Sequence, residues 1–329
     1  AEYKTIKGFK TQSYATDPVA NQIAGGTWSS GGALNTARQN MGAAGASNTA
    51  ALAFGGDTGS GPRYQDLTET YDGTSWTEVA DLSKGYGALF GFGSQTSAMQ
   101  AGGDATPSHT AQTNSEQWDG TSWTAAPVIN TARGFGAASG TVNTAGLIFG
   151  GWYNPSPVLD LTESFNGTAW SEVADLNTTR QTFGGSQQGS STAALAFGGE
   201  TPPRTAATEK WDGTSWTEVS DLNTARSQNK GAGTSTAALS IGGDTPPAVA
   251  ITEYYDGTTW TEVADLASAV VVSGTTGTSA SAISTGGNAG TPTKLDTTEE
   301  WSAPTTFTQL NEGQIWYNTT GNALKYTTL

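Results

Sequence analysis

A Gly-Gly pair follows a short apolar run at Gly55, Gly102, Gly150, Gly198, Gly242 and Gly286, at spacings of 47, 48, 48, 44 and 44 residues. This period constrains the fold more tightly than any bulk property. Each unit must be one supersecondary element that can bury its apolar face only against its neighbours. Other features keep a fixed order behind each pair. A variable loop leads to Glu-x-aromatic at Glu69/Tyr71, Glu116/Trp118, Glu163/Phe165, Glu209/Trp211, Glu253/Tyr255 and Glu299/Trp301. After the first five comes Asp-Gly or Asn-Gly and then a tryptophan: Trp76, Trp123, Trp170, Trp216 and Trp260.

Each unit reads as four strands, a to d. Strand a is rich in Gly, Ala and Ser, as in "RGFGAASG" from Arg133, and suits a crowded position nearest an axis. Strand b, "TAALAFGG" from Thr192, puts Leu195 and Phe197 on one face and Ala194 and Ala196 on the other. A large face meeting a small one is how tapering sheets pack side by side. Strand c ends in the aromatic residue and strand d begins at the Trp, with Asp-Gly or Asn-Gly between them to accept the positive φ of a short hairpin. No stretch carries a helical period, and 44 glycines with only 13% charged residues suit short strands and many turns.

The recurring set of Gly-Gly after strand b, Glu-x-aromatic in strand c, Trp in strand d and Arg before strand a resembles the Kelch repeat over about residues 25–301. The resemblance implies an all-β fold, a six-bladed β-propeller of four-stranded antiparallel blades. Residues 1–24 and 302–329 are then short terminal extensions. A stacked solenoid or left-handed β-helix is the structural alternative, and the four-strand unit length disfavours it. In the sixth unit "SAPTTF" replaces the "DGTSW" phrase after Trp301, while "GGTWSSGGALNTAR" carries an orphan strand-d signature at Trp28. The Trp28 strand is therefore expected beside the Trp301 strand, closing the last blade and removing two open sheet edges.

The formal charge of −15, with 14 Lys and Arg scattered singly, leaves no basic stripe for a phosphate backbone, so nucleic acid is not an expected partner. The absence of cysteine excludes thiolate chemistry and cysteine-based metal sites. No segment is long and apolar enough to insert in a bilayer. The N-terminus lacks an apolar leader core, as would a mature secreted form. A copper oxidase of the galactose-oxidase kind would need two His and a Tyr–Cys crosslink, whereas this chain holds His109 alone, in the loop "ATPSHTAQTN". The Asp-Gly-x-x-Trp spacing is likewise shorter than a sialidase box. With no nucleophile–base pair to assemble, neither an enzyme, a metal nor a cofactor is expected.

Four repeats place Arg before strand a, at Arg38, Arg133, Arg180 and Arg226, with Tyr86 and Val270 in the other two places. In Kelch domains that bind acidic peptides, arginines here approach the mouth of the central channel. The resemblance thus implies a guanidinium ring able to grip carboxylates, with Tyr86 beside it. The architectural reading pairs each Arg with a repeat Glu. Asp57, Asp104, Glu200 and Asp244 hint at calcium but fall once per unit, too far apart to share an ion. The periodic Trp118, Trp123, Trp211 and Trp216 point to packing between sheets more than to sugar stacking. Specificity is expected in the loops 57–67, 104–114, 152–161 and 200–207, where Trp152 and Tyr153 interrupt the acidic position.

The termini escape the repeat. "EGQIWYNTTGNALKYTTL" (312–329) resembles a short module of phage and virion-associated fibre proteins, and "KGFKTQSYATDPVANQ" (7–22) resembles its lead-in. "IWYN" and "LKYTT" read as a small hairpin, marginal alone and so expected to dock on another part of the chain or on a subunit. The resemblance implies a non-enzymatic structural or binding protein of a phage virion, in contact with other virion proteins, copies of itself or a host-surface glycan. A secreted or cell-surface lectin-like binder is the alternative.

Overall fold

The computed structural model describes residues 26–303, apart from 62, 106–109 and 154–156, together with the strands Gln12–Tyr14, Ile315–Asn318 and Ala323–Tyr326. No helix occurs among them. The chain is all-β and is built of four-stranded antiparallel sheets, an arrangement consistent with propeller blades. The first sheet comprises Gly42–Ser47, Ala50–Phe54, Thr68–Tyr71 and Trp76–Glu78, joined a-b-c-d in sequence order. The next four sheets repeat this order, with inner strands Phe90–Ser94, Ala137–Val142, Gly184–Gly185 and Lys230–Thr234. The sixth takes its inner strands from Gly274–Gly277, Ser281–Thr285 and Thr298–Ser302. Its outer strand, Thr27–Ser30, comes from the other end of the chain and pairs antiparallel with Trp28 opposite Trp301.

The repeat predicts six sheets, whereas the span 26–303 holds seven. The additional one is a three-stranded patch of Tyr86–Gly87, Asp104–Ala105 and Thr110–Ala111. It is the fullest case of a contact that the other repeats make as isolated bridges. The residue after Gly-Gly pairs with the entry to its own inner strand and, in most repeats, with the returning loop. Thus Asp57 bridges Gln39 and Tyr64, Glu200 bridges Gln181 and Arg204, Asp244 bridges Ser227 and Ala248, and Asn288 bridges Val271 and Lys294. Sequence pattern missed this layer because a two-residue strand has no periodicity to read. Outside the repeats, Gln12–Tyr14 pairs in parallel with Ile315–Asn318, which forms a hairpin with Ala323–Tyr326. The expected C-terminal hairpin is present, and the N-terminal segment covers one of its edges.

Packing between sheets follows from the alternation in strand b. Ala194 and Ala196 lie in one buried cluster with Leu147 and Phe149 of the preceding sheet, and Leu195 and Phe197 in another with Ala238 and Trp260 of the following sheet. The ring of Phe197 meets that of Trp260 at 4.9 Å, as Phe149 meets Trp216 and Phe54 meets Trp123. Within every four-stranded sheet the strand-c aromatic also contacts the strand-d Trp, from Tyr71/Trp76 at 4.9 Å to Trp301/Trp28 at 5.5 Å. The periodic tryptophans are therefore packing residues. Trp118 and Trp211 are fully buried, Trp216 nearly so, and Trp123 is half-buried against Phe54.

Each strand-d Trp also reaches back to the preceding sheet. Trp123, Trp216 and Trp260 donate Nε1–H to the hydroxyls of Thr68, Thr162 and Thr208, Trp76 donates to Thr298, and Trp28 donates to Thr252. One position departs from this rule. Ser115 stands where the others carry Thr, and Trp170 bonds the Pro127 carbonyl instead. The Ser115 hydroxyl is left buried with no partner.

The inner strands contact one another in chain order, and that of the sixth sheet contacts that of the first. Just before them a cyclic set of backbone hydrogen bonds runs around the axis. Ala88 N–H donates to Asn40 O at 2.8 Å, Phe135 to Ala88 at 2.9 Å, Thr182 to Phe135 at 2.7 Å, Gln228 to Thr182 at 2.5 Å, Val272 to Gln228 at 3.0 Å and Asn40 to Val272 at 2.9 Å. These six residues are the non-glycine positions with positive φ among the described residues, at +49° to +60°. A left-handed non-glycine residue costs about 1–3 kcal/mol. Here the conformation recurs in every repeat because it turns both peptide groups into the cycle.

Candidate functional site

The arginines are placed by what precedes them. In "LNTAR" the chain leaves one sheet and enters the next, and Asn and Arg together hold the strand-c glutamate. Asn35 donates both its N–H and its Nδ2–H to Glu69 Oε2 at 2.8 Å, while Arg38 Nη1 donates to Glu69 Oε1. Asn130 and Arg133 clamp Glu163 in the same way, as do Asn223 and Arg226 on Glu253. Asn177 and Arg180 hold Glu209, with Arg180 Nη2 at 2.6 Å from Oε1. The Asn Nδ2 has a second acceptor, the carbonyl of the strand-d Trp, at 3.0–3.4 Å.

Arg38, Arg133, Arg180 and Arg226 are each 0% exposed. Burial lowers the pKa of Arg133 and Arg180, and the facing Glu163 and Glu209 oppose the shift. Four buried guanidiniums committed to four buried carboxylates form no open ring at a channel mouth. Tyr86 is buried as well, and its phenol is pushed up chiefly by desolvation. In that second sheet, Ser83 takes over the Asn role with its N–H and its hydroxyl on Glu116. In the sixth, where Val270 stands, Ala267 N–H alone reaches Glu299, at 2.8 Å.

Gly-Gly belongs to the same device. The second glycine donates its N–H to the carbonyl of the residue at the Arg position of the next unit, as Gly103 does to Arg133 at 2.9 Å and Gly199 to Arg226 at 2.9 Å. At Gly102, where φ is +54°, a Cβ would stand 2.5 Å from the Arg133 carbonyl oxygen. No other residue fits that approach. The Arg and the Glu are legible in the repeat itself. The Asn three residues before each Arg was equally visible, as was the Asp of "DL", whose carboxylate accepts from the strand-c Thr N–H in Asp81, Asp175, Asp221 and Asp265. The Asp of Asp-Gly does not itself take positive φ. Its carboxylate caps the turn, as Asp212 does toward Thr214 and Ser215 N–H at 2.8 and 2.9 Å, and the glycine alone is left-handed.

The loop face beside the six-residue cycle carries the remaining candidates. Tyr153 is 38% exposed, and half-buried Trp152 packs its ring against that of Phe135 at 5.9 Å. Phe135, a member of the cycle, was not singled out from sequence, and its contact with Trp152 joins loop to axis. Of the loop acids, Asp57 pairs with Arg63 at 2.9 Å and Asp244 with Arg204 at 2.6 Å across neighbouring units. Among the described residues no group of three His, Asp or Glu is gathered as a metal cage would require. His109 lies outside the described residues. An open recess of about 390 Å³ lies on this face between Asp244 and Asn288, walled by Pro246, Pro247 and Thr291. Compared with known proteins, the chain matches no family model and no curated protein.

Proposed function

We propose that the chain is a closed six-bladed propeller, its last blade completed by the N-terminal strand, that serves as a non-enzymatic structural and binding module of a phage particle. The repeat motif supports the Kelch-like reading of the blades. The cyclic backbone hydrogen bonds and the Trp28–Thr252 link support closure. The terminal motifs support the virion, and the three-stranded terminal sheet is a unit through which such a propeller attaches to other virion proteins or to a second copy. The observation that carries the binding reading is the division of the aromatics. The periodic Trp residues pack between sheets, most of them buried, while Tyr153, next to Trp152 and its partner Phe135, faces outward on the variable loop face. An exposed aromatic on the variable loop face suits stacking on a sugar of a host-surface glycan. The net charge of −15 favours a neutral or cationic surface partner over nucleic acid.

Mass spectrometry of purified particles that encode this chain should find it at a fixed copy number per particle. Recovery solely as free soluble protein sinks the virion assignment and favours the lectin-like alternative. On a glycan array, wild type should bind a restricted set of glycans and Tyr153→Ala should lose it at unchanged Tm.

A further inference from the structure

Along the axis the inner strands are nearly free of large side chains, and a Cβ on Gly231 would stand 2.3 Å from the Gly185 carbonyl oxygen. Two features break the symmetry of this lining. The fourth sheet has the shortest inner strand, Gly184–Gly185, and the segment after it crosses the axis. Gln187 Nε2 donates to Ala43 O at 2.7 Å and Gly91 O at 3.1 Å, on the first and second sheets, and its backbone carbonyl accepts from Gly140 N–H of the third at 3.2 Å. Gln188 N–H reaches Gly233 O of the fifth sheet at 2.8 Å, and its side chain reaches Gly93 O at 3.0 Å. These contacts tie the segment to four other sheets and plug the channel.

The second feature is Lys230. It borders both a cavity of about 40 Å³ against the plug, which Gln187 also lines, and a smaller one of about 10 Å³ at the six-residue cycle, which Thr182 lines. It is the one titratable side chain in either lining. Among the described residues no carboxylate pairs with it and no acceptor takes a hydrogen bond from its ammonium. Lys230 is half-buried, and desolvation among the inner strands pulls its pKa down to about 8. Two buried polar atoms, one from each lining, also have no partner: Gln187 Oε1 from the larger and Thr182 Oγ1 from the smaller.

We propose that the axial cavity is a binding site for one small inorganic anion of halide size, with Lys230 as its counter-charge. A lone desolvated cation is costly, and a matching anion removes most of that cost. Lys230 supplies the charge and up to three donors, and the Thr182 hydroxyl is a further donor on the mouth side. The small lining favours a halide with a water or two over a larger, more strongly hydrated oxyanion.

The test is the melting temperature at constant ionic strength while chloride or bromide replaces sulfate, since a ligand that binds only the folded state raises stability saturably. Wild type and the exposed-site control Lys84→Met should show the same saturable rise, and Lys230→Met should show none. Wild-type crystals soaked in bromide should give an anomalous peak on the axis beside Lys230, a readout that stands even where the variant fails to fold. Equal halide dependence in Lys230→Met, or wild type with neither saturable dependence nor axial peak, overturns the proposal.

Discussion

Arg226 and Lys230 lie four residues apart, the first fully buried and the second half-buried at the axis, and their surroundings are opposite. Arg226 belongs to the repeat, and its guanidinium meets the Glu253 carboxylate, the Thr224 and Gly242 carbonyls and the Ser240 hydroxyl. Lys230 occurs once and borders a cavity lined by Met41, Leu89, Phe90 and small residues, with no acidic side chain. Three sister positions tune the first site through the same Asn–Arg–Glu arrangement, so its charge is neutralised inside the unit that carries it. The second has no counterpart in the other five inner strands. Charge that serves architecture is balanced locally. Charge left unbalanced at the axis, where no strand needs it, is the mark of a ligand.

The largest expected effect puts Arg226 into the condition of Lys230. Glu253→Ala strands a buried guanidinium and should lower stability by about 3–5 kcal/mol, seen as a large drop in Tm. An unchanged Tm would break the comparison. Gly102→Ala disturbs the approach of the Gly-Gly pair to Arg133 and forces a left-handed alanine, for roughly 1–3 kcal/mol in chemical denaturation. Gly61→Ala, with nothing within 4 Å of the added Cβ, should leave the curve unmoved. Trp28→Phe keeps an aromatic against Trp301 and deletes the Nε1 bond to Thr252, for about 1 kcal/mol.

The smallest effect sharpens the axial side and depends on pH. The folded pKa of Lys230 is about 8, below the ordinary 10.5, so between these values the unfolded chain holds a proton that the folded one lacks. Wild-type stability should therefore rise relative to Lys230→Met as pH increases from about 8 to 10.5, and the difference should be flat below pH 8. At saturating halide the bound anion raises the folded pKa, and the pH-dependent difference should shrink. Parallel melting-temperature profiles of the two proteins, with and without chloride, check both statements.

Much of the periphery is legible in the sequence because it repeats. The Leu195/Phe197 and Ala194/Ala196 faces, the Glu–Arg pairing, the buried tryptophans and the pairing of the Trp28 strand beside Trp301 all follow from period and alternation. The implied open arginine ring does not survive. Position before strand a says where the backbone goes, whereas the long side chain turns back into its own sheet toward strand c. The two-residue strands beside Asp104, and the bridges that echo them, were invisible because they are set by register between loops.

By itself, then, the sequence determined the unit: four strands, which faces are large or small, and which polar residues recur to tie strand to strand. These are local rules that any one repeat states in full. Tertiary structure alone decided what happens at the axis. Six left-handed residues close a hydrogen-bonded cycle only when all the units are assembled, and Gln187 becomes a plug only because opposite sheets lie within its reach. Lys230 reads in the sequence as one lysine among Gly and Ser. Convergence of the inner strands strips part of its water and withholds a carboxylate, and that turns it into the one unbalanced axial charge among the described residues.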